Sequence, residues 1–271
     1  MKSDSRFLNK SPRFWAHAKY ISEQLGYCGR RSRKSGPGQL KKHDINQAHL
    51  VLGQQGFMPD VVQLEDVVTY LNWRADKLNE ISALFMDRNE AAAEFERLKA
   101  EINPARKLAM NKQKGDKRHP AYLANMVGMI AEKALGPEGF VDDARRLAIV
   151  TSNNMIEEIF SRRFDGAFPD TRDPKAVWEI KEYYGTTTFG SRVADGVYET
   201  LLDGFELNGV LTRMGRNIQH YLFIDDRYTW WDCGKSYLCR MVDMLHTGHV
   251  NEIFFGRQVL TDWEKTLRSL Q

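Results

Sequence analysis

The residues best placed to do chemistry are Asp165 and the run Glu179-Ile180-Lys181. Asp165 lies in Arg163–Phe168 (RFDGAF) and the run lies in Lys175–Tyr184 (KAVWEIKEYY). Both segments read as strands from their β-branched and aromatic content, and the PDTRDP cluster between them reads as a turn. Alternate residues of a strand share a face, so Glu179 and Lys181 project together while Trp178 and Ile180 face a core. A hairpin turning near Arg172 pairs residues whose numbers sum to about 344, which sets Asp165 across from Glu179.

Two carboxylates meeting across paired strands, with a lysine one pleat further, form a hard, oxygen-rich pocket. Such a pocket suits Mg²⁺ sharing its shell with waters and a phosphate, and the chemistry it serves is phosphodiester hydrolysis. Lys181 orients the attacking water, helps deprotonate it or stabilises the pentacovalent charge, and the residue types leave those roles open. Asp170, in Phe168-Pro169-Asp170, is the alternative first metal ligand. It falls at the turn, about 13 Å along the strand from the matching register, so Asp165 is preferred.

These side chains need a scaffold, and the rest of the chain supplies a pattern for one. Phe14, Trp15, Ala18, Ile21 and Leu25 follow helical spacing up to Gly26, and Asp44–Gly56 resumes helix. A longer helix begins near Leu64, Ala91–Ile102 is rich in helix formers, and Pro120–Leu135 completes a helical first half. Val141–Ser161 reads as an amphipathic helix with Leu147, Val150, Ile156, Ile159 and Phe160 toward the core. After the hairpin come a helix over Gly190–Leu207 carrying Val193, Val197, Leu201 and Phe205, a strand HYLFI, a helix over Lys235–Leu245, a strand EIFF and a closing helix over Gln258–Leu270. This order predicts an α/β (α+β) fold, a mixed sheet flanked by helices after a helical N-terminal region. A boundary near Gly136 divides residues 1–136, a basic recognition region, from residues 137–271, the catalytic core.

Charge is distributed unevenly within a formal net of +3. Met1–His43 carries +9, eleven Lys/Arg against Asp4 and Glu23, which leaves −6 for the remainder. A second basic island runs over Ile102–His119. Such islands, with Phe14, Trp15, Tyr20 and Tyr27 nearby, favour a polyanionic partner. Arg30, Arg31, Arg33, Lys34, Lys41, Lys42 and Arg192 are the candidate DNA contacts.

The segment Phe164-Asp165-Gly166, a turn, then Val177-Trp178-Glu179-Ile180-Lys181 resembles the active-site hairpin of the PD-(D/E)xK nuclease superfamily, which contains most type II restriction endonucleases. The resemblance covers roughly Asp143–Phe255, a helix-hairpin-helix-strand core. It implies that Asp165 and Glu179 bind Mg²⁺, that Lys181 assists the water, and that Glu158 or Glu157 supplies a further acid from the preceding helix. The implied activity is sequence-specific cutting of double-stranded DNA by a homodimer. A repair or recombination nuclease of the same fold and a non-catalytic DNA-binding adaptor are the alternatives.

Other constellations are weaker. His246 and His249 lack a third ligand at a metal-binding spacing, Thr186–Thr188 reads as a polar loop, and Trp230 and Trp231 read as packing residues. Cys28, Cys233 and Cys239 fit neither a disulfide framework nor a zinc site, and a reducing, cytoplasmic setting is expected, bacterial or archaeal by the resemblance. No apolar run is long enough to span a membrane. No glycine-rich nucleotide loop or nucleophile elbow is present.

Overall fold

The computed structural model describes the chain apart from residues 30–35, 37, 59–60, 113, 116–117 and 185–190 and the side chains of residues 61, 62 and 191. Arg30, Arg31, Arg33, Lys34 and the threonine run 186–188 therefore lie outside the described residues.

The N-terminal helices are α1 (Pro12–Leu25), α2 (Ile45–Gly53) and α3 (Val61–Ile81). Helix α1 begins where the Ser11 hydroxyl accepts the Phe14 amide and Pro12 occupies the first turn, and it stops at Gly26, φ 85°. Its apolar face, Phe14, Trp15, Ala18 and Ile21, packs against Leu64, Val67 and Leu71 of α3. Two further helices, α4 (Arg88–Ile102) and α5 (Tyr122–Leu135), precede the sheet. Asp87 and Glu90 form a reciprocal capping box at the start of α4.

The strands are β1 (Val141–Asp142), β2 (Ile149–Ser152), β3 (Met155–Ile159), β4 (Gly166–Phe168), β5 (Ala176–Glu182), β6 (Gln219–Asp225) and β7 (Glu252–Phe255). Helix α6 (Ser191–Met214) connects β5 to β6, α7 (Lys235–His246) precedes β7, and α8 (Gln258–Arg268) closes the chain. A five-stranded sheet has the order β1-β4-β5-β6-β7, and β2 and β3 form a separate hairpin. Pairs β1–β4 and β4–β5 are antiparallel; β5–β6 and β6–β7 are parallel. The result is a mixed α/β core behind a helical N-terminal region.

Both faces of the sheet are covered, so β5 and β6 are buried almost throughout, their polar residues included. Trp178, Tyr221, Phe223 and Phe254 pack on α5 and α8, with Trp263 at the centre. Leu222, Ile224, Ile253 and Phe255 pack on α6, α7 and the end of α3. Each fully buried side chain of this size stabilises the fold by about 1.5–3 kcal/mol. Helices α4 and α5 belong to the first of these layers, so Gly136, the expected boundary, joins α5 to β1 inside a continuous core.

One element departs from its expected form. Residues 141–161 are not a helix but β1, a connection and the β2–β3 hairpin. Asn153 and Asn154, at φ 50° and 62°, make the two-residue turn that such hairpins require. Of the five expected core positions, Val150 and Phe160 are buried whereas Leu147, Ile156 and Ile159 are exposed. Apolar spacing alone did not separate the two forms; the Asn-Asn turn beside β-branched Ile149-Val150-Thr151 is the local signal that does.

Candidate active site

Strands β4 and β5 pair Gly166 with Trp178, Ala167 with Val177 and Phe168 with Ala176. Every pair sums to 344, the expected register, which ends at Gly166; Asp165, just before it, leaves the ladder and is held against Trp178 and Ile180. The Asp165 amide donates to the Trp178 carbonyl at 3.0 Å. Its carboxylate Oδ2 accepts the Ile180 amide at 2.7 Å, taking the place of a strand carbonyl where β4 has ended. Gly166 is required here, because a Cβ would fall inside the Trp178 indole. Trp178 thereby locks the register that positions Asp165.

Glu179 and Lys181 share the β5 face that looks toward α6, and both are buried. The Lys181 ammonium donates to Glu179 Oε2 at 2.9 Å and to Glu199 Oε2 of α6 at 3.0 Å. A Cβ at Gly196 would stand 3.1 Å from the Tyr183 hydroxyl and in ordinary contact, 3.4 Å, with Lys181 Cδ, so α6 lies close over the lysine stem. The Trp230 indole N–H holds the Lys181 carbonyl at 3.2 Å.

Three further residues complete the cluster. Arg162, just before β4, lies 3.0 Å from Glu179 Oε2, and its Nη1 donates to Asp203 Oδ2 at 2.7 Å. Its Nη2 reaches Glu199 at 3.2 Å. Asp203 is fully buried one helical turn after Glu199. Among the described residues, four carboxylates, Asp165, Glu179, Glu199 and Asp203, thus face two cations, Arg162 and Lys181. Two buried oxygens in this group, Glu179 Oε1 and Asp203 Oδ1, have no hydrogen-bond partner among the described residues.

The excess of acid is visible in the titration of the cluster. Burial, reinforced by the Glu179 charge, pushes Asp203 up to about 7. Asp165 keeps one side open to solvent. Even so, the protein packed around its carboxyl, together with Glu179, raises it to about 6. Burial would lower Lys181, but the charges of Glu179 and Glu199 outweigh it and keep the amine strongly protonated. Glu199, also partly desolvated, is drawn below its ordinary value by Lys181 and Arg162. His220, on the same face of β6, is pushed down to about 4 by burial, and its Nε2 is likewise without a partner among the described residues.

Among the described residues no three His, Cys, Asp or Glu side chains converge as a ready-made metal cage. The group that fits the donors present is a hydrated Mg²⁺, which takes one or two carboxylates and completes its shell with water and phosphate. The partnerless Glu179 Oε1 and the solvent-open Asp165 are the residues suited to hold it.

The remaining sequence candidates lie elsewhere. Glu158 is on strand β3, not on a helix, and pairs with Arg213 of α6; Glu157 beside it is exposed. The helix that precedes the β4–β5 hairpin in the main sheet is α5, whose Glu132 accepts the amides of Ala105 and Arg106. Asp170 is bound within the turn by Thr171 and by Arg146 at 2.5 Å, at the far end of the hairpin from Glu179. Lys42 pairs with Asp76 at 2.8 Å, and the Lys41 ammonium caps the Leu25 carbonyl. Arg192 is exposed at the start of α6. In the second basic island, Arg106 is turned inward and pairs with Asp142. His246 is buried and accepts the Asp4 amide, so it is not a ligand to anything beside His249.

Residue types alone did not single out Arg162, Glu199 or Asp203. The available signal was Asp203 itself, which occupies the apolar stripe of α6 between Val193, Val197 and Thr200 on one side and Leu207 and Val210 on the other.

Among the described residues no helix is long and apolar enough to cross a membrane. Comparison with curated proteins and with solved structures finds no significant match. Residues 1–81 match the family model described as domain of unknown function DUF7690. Residues 86–270 match the model described as domain of unknown function DUF7687. The division between the two falls at the end of α3, so α4 and α5 go with the sheet in family as in packing. With the greater part of its length matched by that second model, the chain belongs to the DUF7687 family.

Proposed function

We propose that this chain is a Mg²⁺-dependent endonuclease that hydrolyses phosphodiester bonds of double-stranded DNA, acting as a homodimer in the manner of type II restriction enzymes. The observation that carries the reading is the buried, partnerless Glu179 Oε1 beside solvent-open Asp165, in a cluster with more carboxylates than cations. The β4–β5 hairpin, α6 and β6 follow one another in the order the resemblance implies, whereas the helix it expects immediately before the hairpin is replaced by β1 and the β2–β3 hairpin.

Asp165 and Glu179 would hold the cation, which when bound polarises a phosphoryl oxygen and acidifies a water. Arg162 and Lys181 both engage Glu179 Oε2, and so keep Oε1 turned away and available. Lys181, held protonated, serves as a fixed positive charge for the developing phosphorane and not as the base. Asp203 and Glu199 neutralise Arg162 and orient it, a supporting role one layer behind the reacting atoms.

The test is incubation of supercoiled plasmid DNA with the full chain and Mg²⁺. Discrete fragments are expected, whereas a smear would point to an end- or structure-directed nuclease. Glu179→Ala and Lys181→Ala should each slow cleavage by about 100-fold or more while DNA binding in EDTA stays within a few-fold of the unaltered protein. Full cleavage by both variants overturns the assignment.

A further inference from the structure

On a face of α6 other than the one that carries Glu199 and Asp203 lies a cavity of about 590 Å³ walled by α1, α6 and α7. Val197, Leu201 and Met244 make its apolar floor, and the rings of Tyr20, Tyr27, Tyr198 and Phe205 line it. Its size lies within the range of small-ligand sites. Tyr198 and Phe205 stand two turns apart on one side of α6 and are 58% and 60% exposed. Phe205 continues the helical spacing of Val193, Val197 and Leu201, and the fold leaves it facing this space, with the His249 ring against it at 4.5 Å.

The charges around the cavity favour an anion. Lys19 and Arg240 line it, and neither forms an ion pair with a carboxylate among the described residues. Arg240 lies over the Tyr27 and Tyr237 rings, 5.3 and 5.6 Å from their centroids, and hydrogen-bonds the Tyr27 side chain, so its charge is held at the cavity wall without a carboxylate partner among the described residues. Asp243, also in the lining, is already matched by Arg74 at 2.7 Å, and Glu23 is the remaining acid. An aromatic, apolar chamber with two cations against one acid is complementary to a planar ring that bears a phosphate.

Helix α6 contributes side chains to both the chamber and the cluster. Tyr198 is next in sequence to Glu199, which holds Lys181, and Phe205 lies two residues after Asp203, so one helix forms a wall of both. We propose that this cavity receives a single unstacked nucleotide of the DNA strand, its base against Tyr198 and Phe205 and its phosphate toward Arg240 and Lys19. The proposal rests on the nuclease reading, since it assumes a strand already bound at Asp165 and Glu179. It gives the helical N-terminal region, through Lys19 and Tyr20 of α1, a direct part in gripping the substrate.

The test uses the full chain in EDTA, so that binding is read without cleavage. The probe is a single-stranded oligonucleotide carrying one 2-aminopurine, with deoxyadenosine monophosphate as competitor. A change in 2-aminopurine emission on binding, reversed by the competitor, is the expected result. Tyr198→Ala and Phe205→Ala, both at exposed positions outside the core, should each weaken binding about tenfold; circular dichroism verifies the fold, and Arg240→Met provides a third variant. Affinity unchanged by all three substitutions, no binding of the probe, or an anilinonaphthalene dye in the cavity that the nucleotide fails to displace would each overturn the proposal. Plasmid cleavage reports on the nuclease reading separately: cavity-dependent binding without any cleavage would fault that reading and leave the nucleotide site standing.

Discussion

Lys181 donates to Glu179 Oε2 from two residues away on the same strand face, and the other carboxylate oxygen, Oε1, is buried with no partner among the described residues. Arg162 occupies the same Oε2, so two cations converge on one oxygen while its twin stays free. An unsatisfied buried carboxylate oxygen is costly unless a cation or a water meets it. The arrangement therefore predicts that the protein responds to divalent cations even in the absence of DNA.

Thermal unfolding in Mg²⁺ and in EDTA measures that response. Mg²⁺ should raise Tm, and Glu179→Gln should abolish most of the rise. Arg162→Ala removes one of the two cations that offset four carboxylates. Its Tm in EDTA should fall, and its gain on adding Mg²⁺ should exceed that of the unaltered protein. An equal gain in both proteins would show that Arg162 does not share its charge balance with the cation.

Gly166→Ala tests the step that sets the hairpin. The added methyl would overlap the Trp178 indole, whose ring is held in place by Phe140 and Trp263. Overpacking of this kind costs about 1–3 kcal/mol, readable as a lower urea midpoint. Because Asp165 precedes Gly166, the Mg²⁺-dependent gain in Tm should shrink as well.

Stability should fall as pH rises from 6.5 to 8. Burial, outweighing the amides at the start of α5, lifts Glu182 to about 8, and burial lifts Asp225 to about 7 on the neighbouring strand. A carboxyl raised in the folded state binds its proton more tightly there, so stability is present below the folded pKa and lost as pH rises through it. Asp203, at about 7, acts in the same direction. The Met1 amine, lowered by burial to about 6, opposes them with a single proton, and His43 and His220, at about 4, act only at lower pH. Tm in EDTA, followed over this range, should decline, and Glu182→Gln should flatten the decline. A slope unchanged in that variant would remove Glu182 from the account.

A buried ion pair joins the two family-matched regions. Arg74 of α3 donates to both oxygens of Asp243 in α7 at 2.7 and 2.8 Å and to Ser22 of α1 at 3.1 Å. Tyr70 donates to the same carboxylate at 2.5 Å. Removing one partner strands the other charge, so Arg74→Ala should destabilise the protein by about 3–5 kcal/mol. A loss below about 1 kcal/mol, the scale of exposed pairs, would show that solvent reaches this junction.

The local geometry around the candidate site was already written in the order of residues. Strand alternation has a period of two and needs only neighbours, so Trp178 inward, Glu179 and Lys181 together, and the 344 register all followed from it. Most helices were equally readable, from caps and apolar spacing. Residues 141–161 were not, because a few apolar positions satisfy a helix and a hairpin alike until the Asn153-Asn154 turn is weighed. Which distant charges meet was settled by the assembled fold. It carried Arg162 to Glu179, set Asp203 and Glu199 of α6 over Lys181, tied Glu158 and Asp170 to arginines away from the cluster, and opened a cavity at Phe205. Those outcomes depend on how α6 crosses the sheet, which is fixed by packing among residues far apart in the chain and so has no signature in the spacing of any one segment.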